Sequence, residues 1–263
     1  MEILNVIDPV QFRTYMLVLL RVSIFLLMFP IFSSAVFPAM LKMGFAMVMS
    51  LLFYSVVPVD LTRFPLDAIS TGILIMAEAM IGLTLGLCLR IFFGSVQLAG
   101  QVIGFQMGFS MINVVDPQSG TDVSIMDQLG YWVCVVVFLV LNGHHIIISA
   151  MIDSFQLVPV GVFMIKKVML VKILDLAGNL FLVAIKIGAP VIAALFFVSV
   201  GFGLVSKFAP QMNVMIVAFP LKIVAGLFLF GLTLEIIVII TRDYVDGFKK
   251  LLMYLLFFAG GGG

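Results

Sequence analysis

Long runs without a charged residue recur along the chain and restrict it to very few folds. Such runs cover Val22–Leu41, Ile91–Val115, Leu129–Ile152 and Ile187–Ser206. A helix that crosses a hydrocarbon core of about 30 Å needs roughly 20 apolar residues, and each run provides them. Closed β-barrels also satisfy every backbone group in lipid, but their strands alternate apolar and polar residues, which these runs do not. The sequence therefore predicts an all-α, polytopic integral membrane protein of about six long helices.

The composition agrees with a membrane protein and argues against several soluble classes. Hydrophobic residues make up 63% of the 263 positions and charged residues 10%, whereas about 25% of the residues in soluble domains are charged. The net charge of +1 leaves no basic surface for nucleic acid. Cys88 and Cys134 lie in apolar runs without the spacing of a metal site or a disulfide framework. We interpret both as small core residues.

Prolines are expected to break the helices into hairpins. Pro30 and Pro38 favour two short helices, rather than one, between Tyr15 and Val57. Separate helices are predicted for Ser70–Leu89 and Ile91–Met111, on either side of Arg90.

The second half contains Pro190 and Pro220 within apolar sequence, and a kink or a split helix is expected at Pro190. Nothing in the chain resembles a second, soluble domain. We therefore expect a single helical membrane domain over residues 1–259, followed by a glycine tail, Gly260–Gly263, which has the composition of an expression scar.

Two helix boundaries carry local signals. Ser124 and Asp127 have the S-x-x-D spacing of a capping box, which satisfies the free amides at a helix start. The Asn-Gly-His-His stretch, Asn142–His145, is interpreted as a turn at a helix end.

The stretch "GQVIGFQMGFSMINVVDPQSG", Gly100 to Gly120, interrupts the apolar sequence. On a helical wheel, Gly104 and Gly108 lie at about 40° and 80° from Gly100, and Met107 and Met111 lie within about 20° of it. Helix packing through small residues four apart would account for the glycines alone.

Packing does not account for the amides of Gln97, Gln101 and Gln106. The wheel groups the first two of them with the glycines and methionines, away from Val96 and Ile103. Methionine adapts its shape to changing neighbours, and a proline after Asp116 pushes that residue out of the helical region. These features favour a water-lined path or a movable seal.

Several charges lie within or at the ends of apolar runs, where a charge costs at least a few kcal/mol unless it is paired or hydrated. None has an opposite charge three or four residues away, so we expect partners on other helices or other chains. Glu78 precedes Gly82 and Gly86 on one small-residue stripe and should face protein. The predicted buried charges are Arg21, Glu78, Arg90, Lys186, Lys222 and Glu235. Four of them, Glu78, Arg90, Lys186 and Lys222, would equally suit a small-solute transporter.

A metalloenzyme using His144, His145 and Asp153 is a further alternative. Adjacent helical residues point about 100° apart, which is a poor geometry for binding one metal. The chain has no H-E-x-x-H or G-x-S-x-G motif, no phosphate-binding glycine loop and no catalytic carboxylate pair. We therefore predict a non-enzymatic protein without cofactor or metal.

Several motifs together give the chain a resemblance to a known family. They are "RVSIFLLMFPIFSSAVFPAMLK" (Arg21–Lys42), "EAMIGLTLGLCLR" (Glu78–Arg90), the Gly100–Gly120 stretch, "LNGHH" with Ser154 and Phe155, and "FAPQMNVMIVAFPLK" (Phe208–Lys222). With these motifs the chain resembles, nearly end to end, the FliR family of R subunits of the flagellar type III export gate.

The resemblance implies a single copy completing a ring-like helical assembly in the bacterial inner membrane, at the flagellar basal body. The implied partners are several P and Q subunits (FliP and FliQ), FlhB and FlhA, and the ring conducts unfolded protein. Two helix-packing stripes are expected, formed by Gly82, Gly86, Gly100, Gly104 and Gly108. The loop around Gln106–Gly120 is implied to plug the lumen through Gln106, Met107, Gly108, Phe109, Ser110, Met111, Asp116 and Pro117. An injectisome subunit is the related alternative, although "APQMN" favours flagella.

Overall fold

The computed structural model describes residues 9–33, 37–57, 67–109, 125–163, 166–211 and 213–260. The regular structure within these ranges is entirely helical. In chain order the helices are α1 (Pro9–Met28), α2 (Pro30–Ser33), α3 (Ala39–Tyr54), α4 (Ala68–Met107), α5 (Ile125–Val140), α6 (Gly143–Leu157), α7 (Lys167–Phe208) and α8 (Val214–Ala259).

Four of these helices, α1, α4, α7 and α8, are long and apolar enough to cross a membrane. The broken pair α5 and α6 becomes a fifth candidate if it counts as one span. The prediction of an all-α polytopic membrane protein is confirmed, with fewer long helices than the predicted six.

The number differs because charges and prolines do not interrupt the long helices. Ser70–Leu89 and Ile91–Met111 belong to one 40-residue helix, α4, which runs through Arg90. Pro190 lies inside the 42-residue α7, so the alternative of a helix split there is wrong. A proline in a helix removes one backbone hydrogen bond, and the apolar sequence on both sides of Pro190 sustains the helix through that loss.

The breaks near the N-terminal end follow the prediction. α1 ends at Met28, the four-residue α2 begins at Pro30, and α3 begins directly after Pro38, whose ψ of 142° is not helical. Proline also disfavours helical geometry in the residue before it. The predicted breaks are confirmed, but the region forms three helices, of 20, 4 and 16 residues, where two short helices were predicted.

One helix start has a capping hydrogen bond, and two others lie at the positions that local sequence signals predict. Asp67 accepts hydrogen bonds from the Ser70 backbone N–H at 3.0 Å and the Ser70 hydroxyl at 2.9 Å, which lowers the pKa of its carboxyl. Ser124 lies outside the described residues, but Asp127 is in the first turn of α5, where the capping box places it. Asn142 has a left-handed φ of 58° between α5 and α6, which confirms the predicted turn.

Contacts divide the chain into two compact units. Unit 1 comprises Met1–Ile91, Asn142–Leu176 and Val245–Gly263, and unit 2 comprises Phe92–Leu141 and Ala177–Tyr244. In unit 1, α1 packs on α3, and the Tyr15 and Tyr54 rings meet edge to face at 6.4 Å. In unit 2, the rings of Phe92 and Tyr244 stack at 3.8 Å. Cys88 and Cys134 are buried free thiols, as predicted.

Candidate functional site

A buried ion pair joins α1 to α4 in unit 1. Arg21 and Glu78 both have side-chain exposures of 0%, and the Arg21 Nε lies 2.6 Å from the Glu78 Oε2. Isolated charges in such surroundings would be strongly disfavoured because they lose their hydration. The pair can persist there only if its remaining donors and acceptors are also satisfied.

Those donors and acceptors are satisfied by the end of α6 and the turn that follows it. The two Arg21 Nη atoms donate to the carbonyl oxygens of Ser154 at 3.0 Å and Val158 at 3.1 Å. The Glu78 Oε1 accepts the backbone N–H of Gly161 at 2.8 Å. The guanidinium also lies 4.2 Å from the centre of the Phe155 ring, within cation–π range. These contacts form the Arg21–Glu78 network, which consists of Arg21, Glu78, Ser154, Phe155, Val158 and Gly161. The network joins three segments that are distant in sequence.

Glycines allow α1 and α4 to approach closely enough for this pairing. A Cβ at Gly82 would lie 2.6 Å from the carbonyl oxygen of Arg21, and a Cβ at Gly86 would overlap the Met28 side chain. Small residues at such crossings let membrane helices approach to backbone contact. The Gly82 and Gly86 stripe thus lies at the α1–α4 contact.

The other predicted buried charges occupy different surroundings. Within this chain Arg90, Lys186 and Glu235 are exposed and Lys222 is half-buried. Because the expected partners include other chains, burial of these four charges stays a prediction. An apolar run does not reveal which helix face a charge occupies, and long side chains can place a charge at the surface while their stems cover apolar neighbours. Arg90 contributes a contact of 3.8 Å from its Nη1 to the sulfur of Met28.

In unit 2, the C-terminal half of α4 packs on the start of α5 through Gly100. A Cβ at Gly100 would lie 2.5 Å from the carbonyl oxygen of Met126 and 2.6 Å from the Cα of Asp127. Gly100 and Gly104 are both buried. Because the atoms facing Gly100 belong to the backbone, they cannot move aside as a flexible side chain would.

Met107 lies at the centre of the apolar core of unit 2. It is fully buried beside Ile103 and Met126 in a cluster completed by Val191, Leu195 and Phe230. Gly226 of α8 makes room for it, since a Cβ there would lie 2.5 Å from the Met107 Cγ. Met107 is therefore a packed core residue in this chain.

The predicted grouping of side chains around α4 needs correction. Val96 and Ile103 are fully buried on the face of Gly100 and Met107, whereas Gln101 is exposed and Gln97 and Gln106 are half-buried. On the helical wheel Val96 and Ile103 lie only about 40° and 60° from Gly100, inside the apolar stripe of a core-facing helix. The face that carries glycine and methionine is apolar, and the amides flank it.

α4 ends at a glycine that no other residue could replace easily. Gly108 has a φ of +92°, a left-handed conformation that disfavours side chains. A Cβ there would also lie 2.8 Å from the Phe219 ring. The next residue, Phe109, closes the helix by donating its N–H to the carbonyl of Gly104 at 3.1 Å. The predicted plug residues Ser110, Met111, Asp116 and Pro117 lie outside the described residues.

Adding a methyl group at Gly100 is expected to destabilise the chain. Gly100→Ala should lower the free energy of unfolding by about 1–3 kcal/mol, because the methyl group would force α4 away from α5. Gly231→Ala is the matched control, since a Cβ at Gly231 of α8 meets no atom within 4 Å. Thermal unfolding of the purified variants in detergent measures both. Equal unfolding temperatures for the two variants would contradict this account of the α4–α5 contact.

The rings of His144 and His145 at the start of α6 lie with their centres 4.3 Å apart and are tilted by 40° relative to each other. Asp153, the third residue of the metalloenzyme alternative, lies 3.5 Å from the Nζ of Lys249 in an ion pair. Within the described ranges, no three His, Cys, Asp or Glu side chains are grouped so that they could hold a metal ion.

The sequence as a whole matches a described protein family. The profile of the bacterial export proteins, family 1, matches residues 12–248. The chain belongs to this family. Family membership makes it a bacterial export protein, a non-enzymatic component of an export apparatus, and confirms the family resemblance that its motifs carry.

Its relatives include several flagellar biosynthetic proteins FliR. The protein from Bacillus subtilis (strain 168) is 32% identical over 245 residues, which cover 88% of this chain and 90% of that protein. The one from Escherichia coli (strain K12) is 28% identical, with 83% of each chain covered. The one from Aquifex aeolicus (strain VF5) is also 28% identical, with 95% and 97% covered.

The sequence did not indicate the partners of the candidate site residues. Val158 and Gly161 complete the Arg21–Glu78 network from 137 and 83 positions away, and Phe219 and Gly226 face the end of α4 from α8. No local spacing can indicate contacts at such separations. Ser154 and Phe155 were part of a family motif, which was the one available signal.

Proposed function

We propose that the chain is a non-enzymatic subunit of the flagellar type III export gate. In this proposal it forms, with FliP and FliQ, a gated conduit for unfolded flagellar proteins across the bacterial inner membrane. The observation that carries the proposal is the family match over residues 12–248. Flagellar biosynthetic proteins that align with most of this chain support the flagellar system over an injectisome.

The exposed apolar surface supports assembly with other membrane subunits. In the most apolar 18-residue stretch of α7 only 28% of the residues are buried within the chain, and in that of α8 only 22% are buried. The 16-residue α3 is shorter than a membrane span but exposes Met40 at 82% and Met43 at 60%. Apolar patches of this extent are covered by lipid or by protein partners. A multi-subunit gate with FlhB and FlhA beside it would cover them.

The plug is proposed for the segment from Gln106 to Gly120. The structure describes residues 106–109 of this segment, and they support the proposal because they fix the point at which the plug would begin. Met107 is locked in the core of unit 2, and Gly108 ends α4 with a backbone conformation that favours glycine. The chain therefore leaves α4 at a defined point, as a loop that must close a lumen reproducibly would require.

The small-solute transporter is less well supported. Transporters of that class use intramembrane charges that can bind or release ligands, but both carboxylate oxygens of Glu78 are already occupied, by Arg21 and Gly161. Arg90 and Lys186 are exposed on the chain surface. Glu78 therefore has no free carboxylate oxygen for a ligand, and its contacts stabilise the fold.

Deletion of the gene tests the proposal. The deletion strain is expected to stop secreting flagellar hook and filament proteins, and the intact gene supplied in trans should restore secretion. Affinity purification of the restored chain should recover FliP and FliQ. Normal secretion in the deletion strain, or a chain that purifies alone from membranes that contain both partners, would contradict the proposal.

A further inference from the structure

An apolar groove opens between α1 and α4 in unit 1. It has a volume of about 560 Å³ and is lined mainly by apolar side chains, including Phe12, Met16 and Leu20 of α1 and Leu74 and Ile75 of α4. The Ser23 and Thr71 hydroxyls that reach it donate to carbonyl oxygens of their own helix segments, at 3.1 and 3.0 Å. Its walls therefore offer little to a polar ligand.

The groove exists because α1 and α4 run parallel and separate towards their N-terminal ends. Arg21 pairs with Glu78, and Met28 further along α1 meets Gly86 further along α4. Towards the start of α4, the groove lies between the two helices and is lined there by Thr71, Leu74 and Ile75. The glycines that bring the helices together at one end thus leave a gap at the other.

The length of the groove matches one leaflet of a membrane. Its α1 wall extends from Phe12 to Ser23, which corresponds to about 16 Å at the helical rise of 1.5 Å per residue. Half of a hydrocarbon core of about 30 Å is roughly 15 Å. A single acyl chain lying along α1 would therefore fill the groove along its length.

A cationic side chain, that of Arg13, lies at the end of the groove nearest the start of α1. Arg13 lines the groove and is exposed, and its side chain makes no hydrogen bond or ion pair within the described part of the chain. The carboxylate at the same end of α4, Asp67, does not line the groove and accepts both hydrogen bonds of Ser70. Arginine binds phosphate with two parallel hydrogen bonds. The free guanidinium is thus complementary to a lipid phosphate.

We propose that this groove binds one membrane phospholipid, with an acyl chain between α1 and α4 and its phosphate on Arg13. The bound lipid would fill the gap that the glycine stripe leaves open, and so complete the packing of α1 on α4. This site is independent of the export role of the chain, because its residues belong neither to the plug segment nor to the Arg21–Glu78 network.

Tryptophan quenching by a brominated lipid tests the proposal. The full chain, purified in detergent with its associated subunits, carries Trp132→Phe to remove its single tryptophan. A reporter in the groove, Met16→Trp, is compared with Ile73→Trp, an exposed position of α4 outside the groove. Brominated phosphatidylglycerol is then titrated. If Met16→Trp does not fold, Phe12→Trp, another groove position, replaces it.

We expect saturable quenching of the groove reporter at low lipid concentration, and gradual, unsaturated quenching of the Ile73→Trp reporter. Arg13→Gln should raise the half-saturating lipid concentration about tenfold for the groove reporter only, as loss of a charged hydrogen bond implies. Identical curves for both reporters, without an effect of Arg13→Gln, would show lipid acting as bulk solvent and overturn the proposal. Absence of quenching in the groove alone would also overturn it, because protein would then fill the space.

Discussion

Replacing Arg21 with alanine is expected to lower the free energy of unfolding by about 3–5 kcal/mol, because it leaves a buried carboxylate without a partner. Glu78 is fully buried, and its Oε2 has no other cation in the described part of the network. The substitution also leaves the Val158 carbonyl without its donor from Arg21. We expect loss of the chain from membranes, or a large fall in its thermal unfolding temperature in detergent.

Two comparisons distinguish the stability effect of losing the buried ion pair from that of losing an exposed ion pair. Lys249→Ala removes a second ion pair, in which Lys249 and Asp153 have side-chain exposures of 50% and 24%. Exposed pairs contribute about 0–1 kcal/mol, so this variant should resemble the parent protein. A double variant, Arg21→Met with Glu78→Met, removes both charges and should be more stable than Arg21→Ala. Arg21→Ala and Lys249→Ala with equal stabilities would contradict the account.

The second large effect is expected from shortening the proposed plug. Deletion of Ser110–Ser119 should leave assembly intact and raise the leakage of small ions and molecules across the inner membrane several-fold. The physical reason is that the described contacts at the end of α4, those of Gly108 and Phe109, lie outside the deleted residues and remain in the shortened chain. Dye uptake and ion-flux measurements on intact cells report the leak.

The control for this deletion uses the partner subunits. The same deletion in cells that lack FliP should not leak, because no gate can form there, and co-purification of FliP and FliQ with the shortened chain should show that assembly is preserved. Intact assembly without leakage would assign the Gly100–Gly108 stripe to helix packing alone. Leakage in the absence of FliP would show that the deletion damages the membrane in some other way.

The sequence predicts the parts of this fold that depend on local chemistry. The helical membrane class follows from the length of the apolar runs, the breaks at Pro30 and Pro38 follow from proline geometry, and the Asn142 turn follows from its Asn-Gly pair. Each of these features is decided by neighbouring residues, so no knowledge of the folded packing is required.

Features that depend on packing were predicted less well. The sequence showed that Glu78 needed a partner, but Arg21 is 57 positions away and could not be selected from the four cations among the predicted buried charges. Arg90 suggested a helix boundary, yet it lies on the exposed surface of a continuous α4. Likewise, the wheel placed Met107 on a small-residue face, but only the structure shows that its side chain is buried in a core, in the space left by Gly226.

Cross-linking of a stalled export substrate tests the proposed conduit most directly. Cys88 and Cys134, the two cysteines of the chain, are replaced with alanine, and one new cysteine is introduced by Asp116→Cys in the proposed plug or by Ile73→Cys at an exposed position of α4. A flagellar protein fused to a stably folded domain, with one cysteine in its unfolded part, is then trapped during export. The account predicts a disulfide between the substrate and the Asp116→Cys variant, and none with the Ile73→Cys variant. A substrate that stalls in the gate but cross-links to neither position, or to both equally, would contradict it.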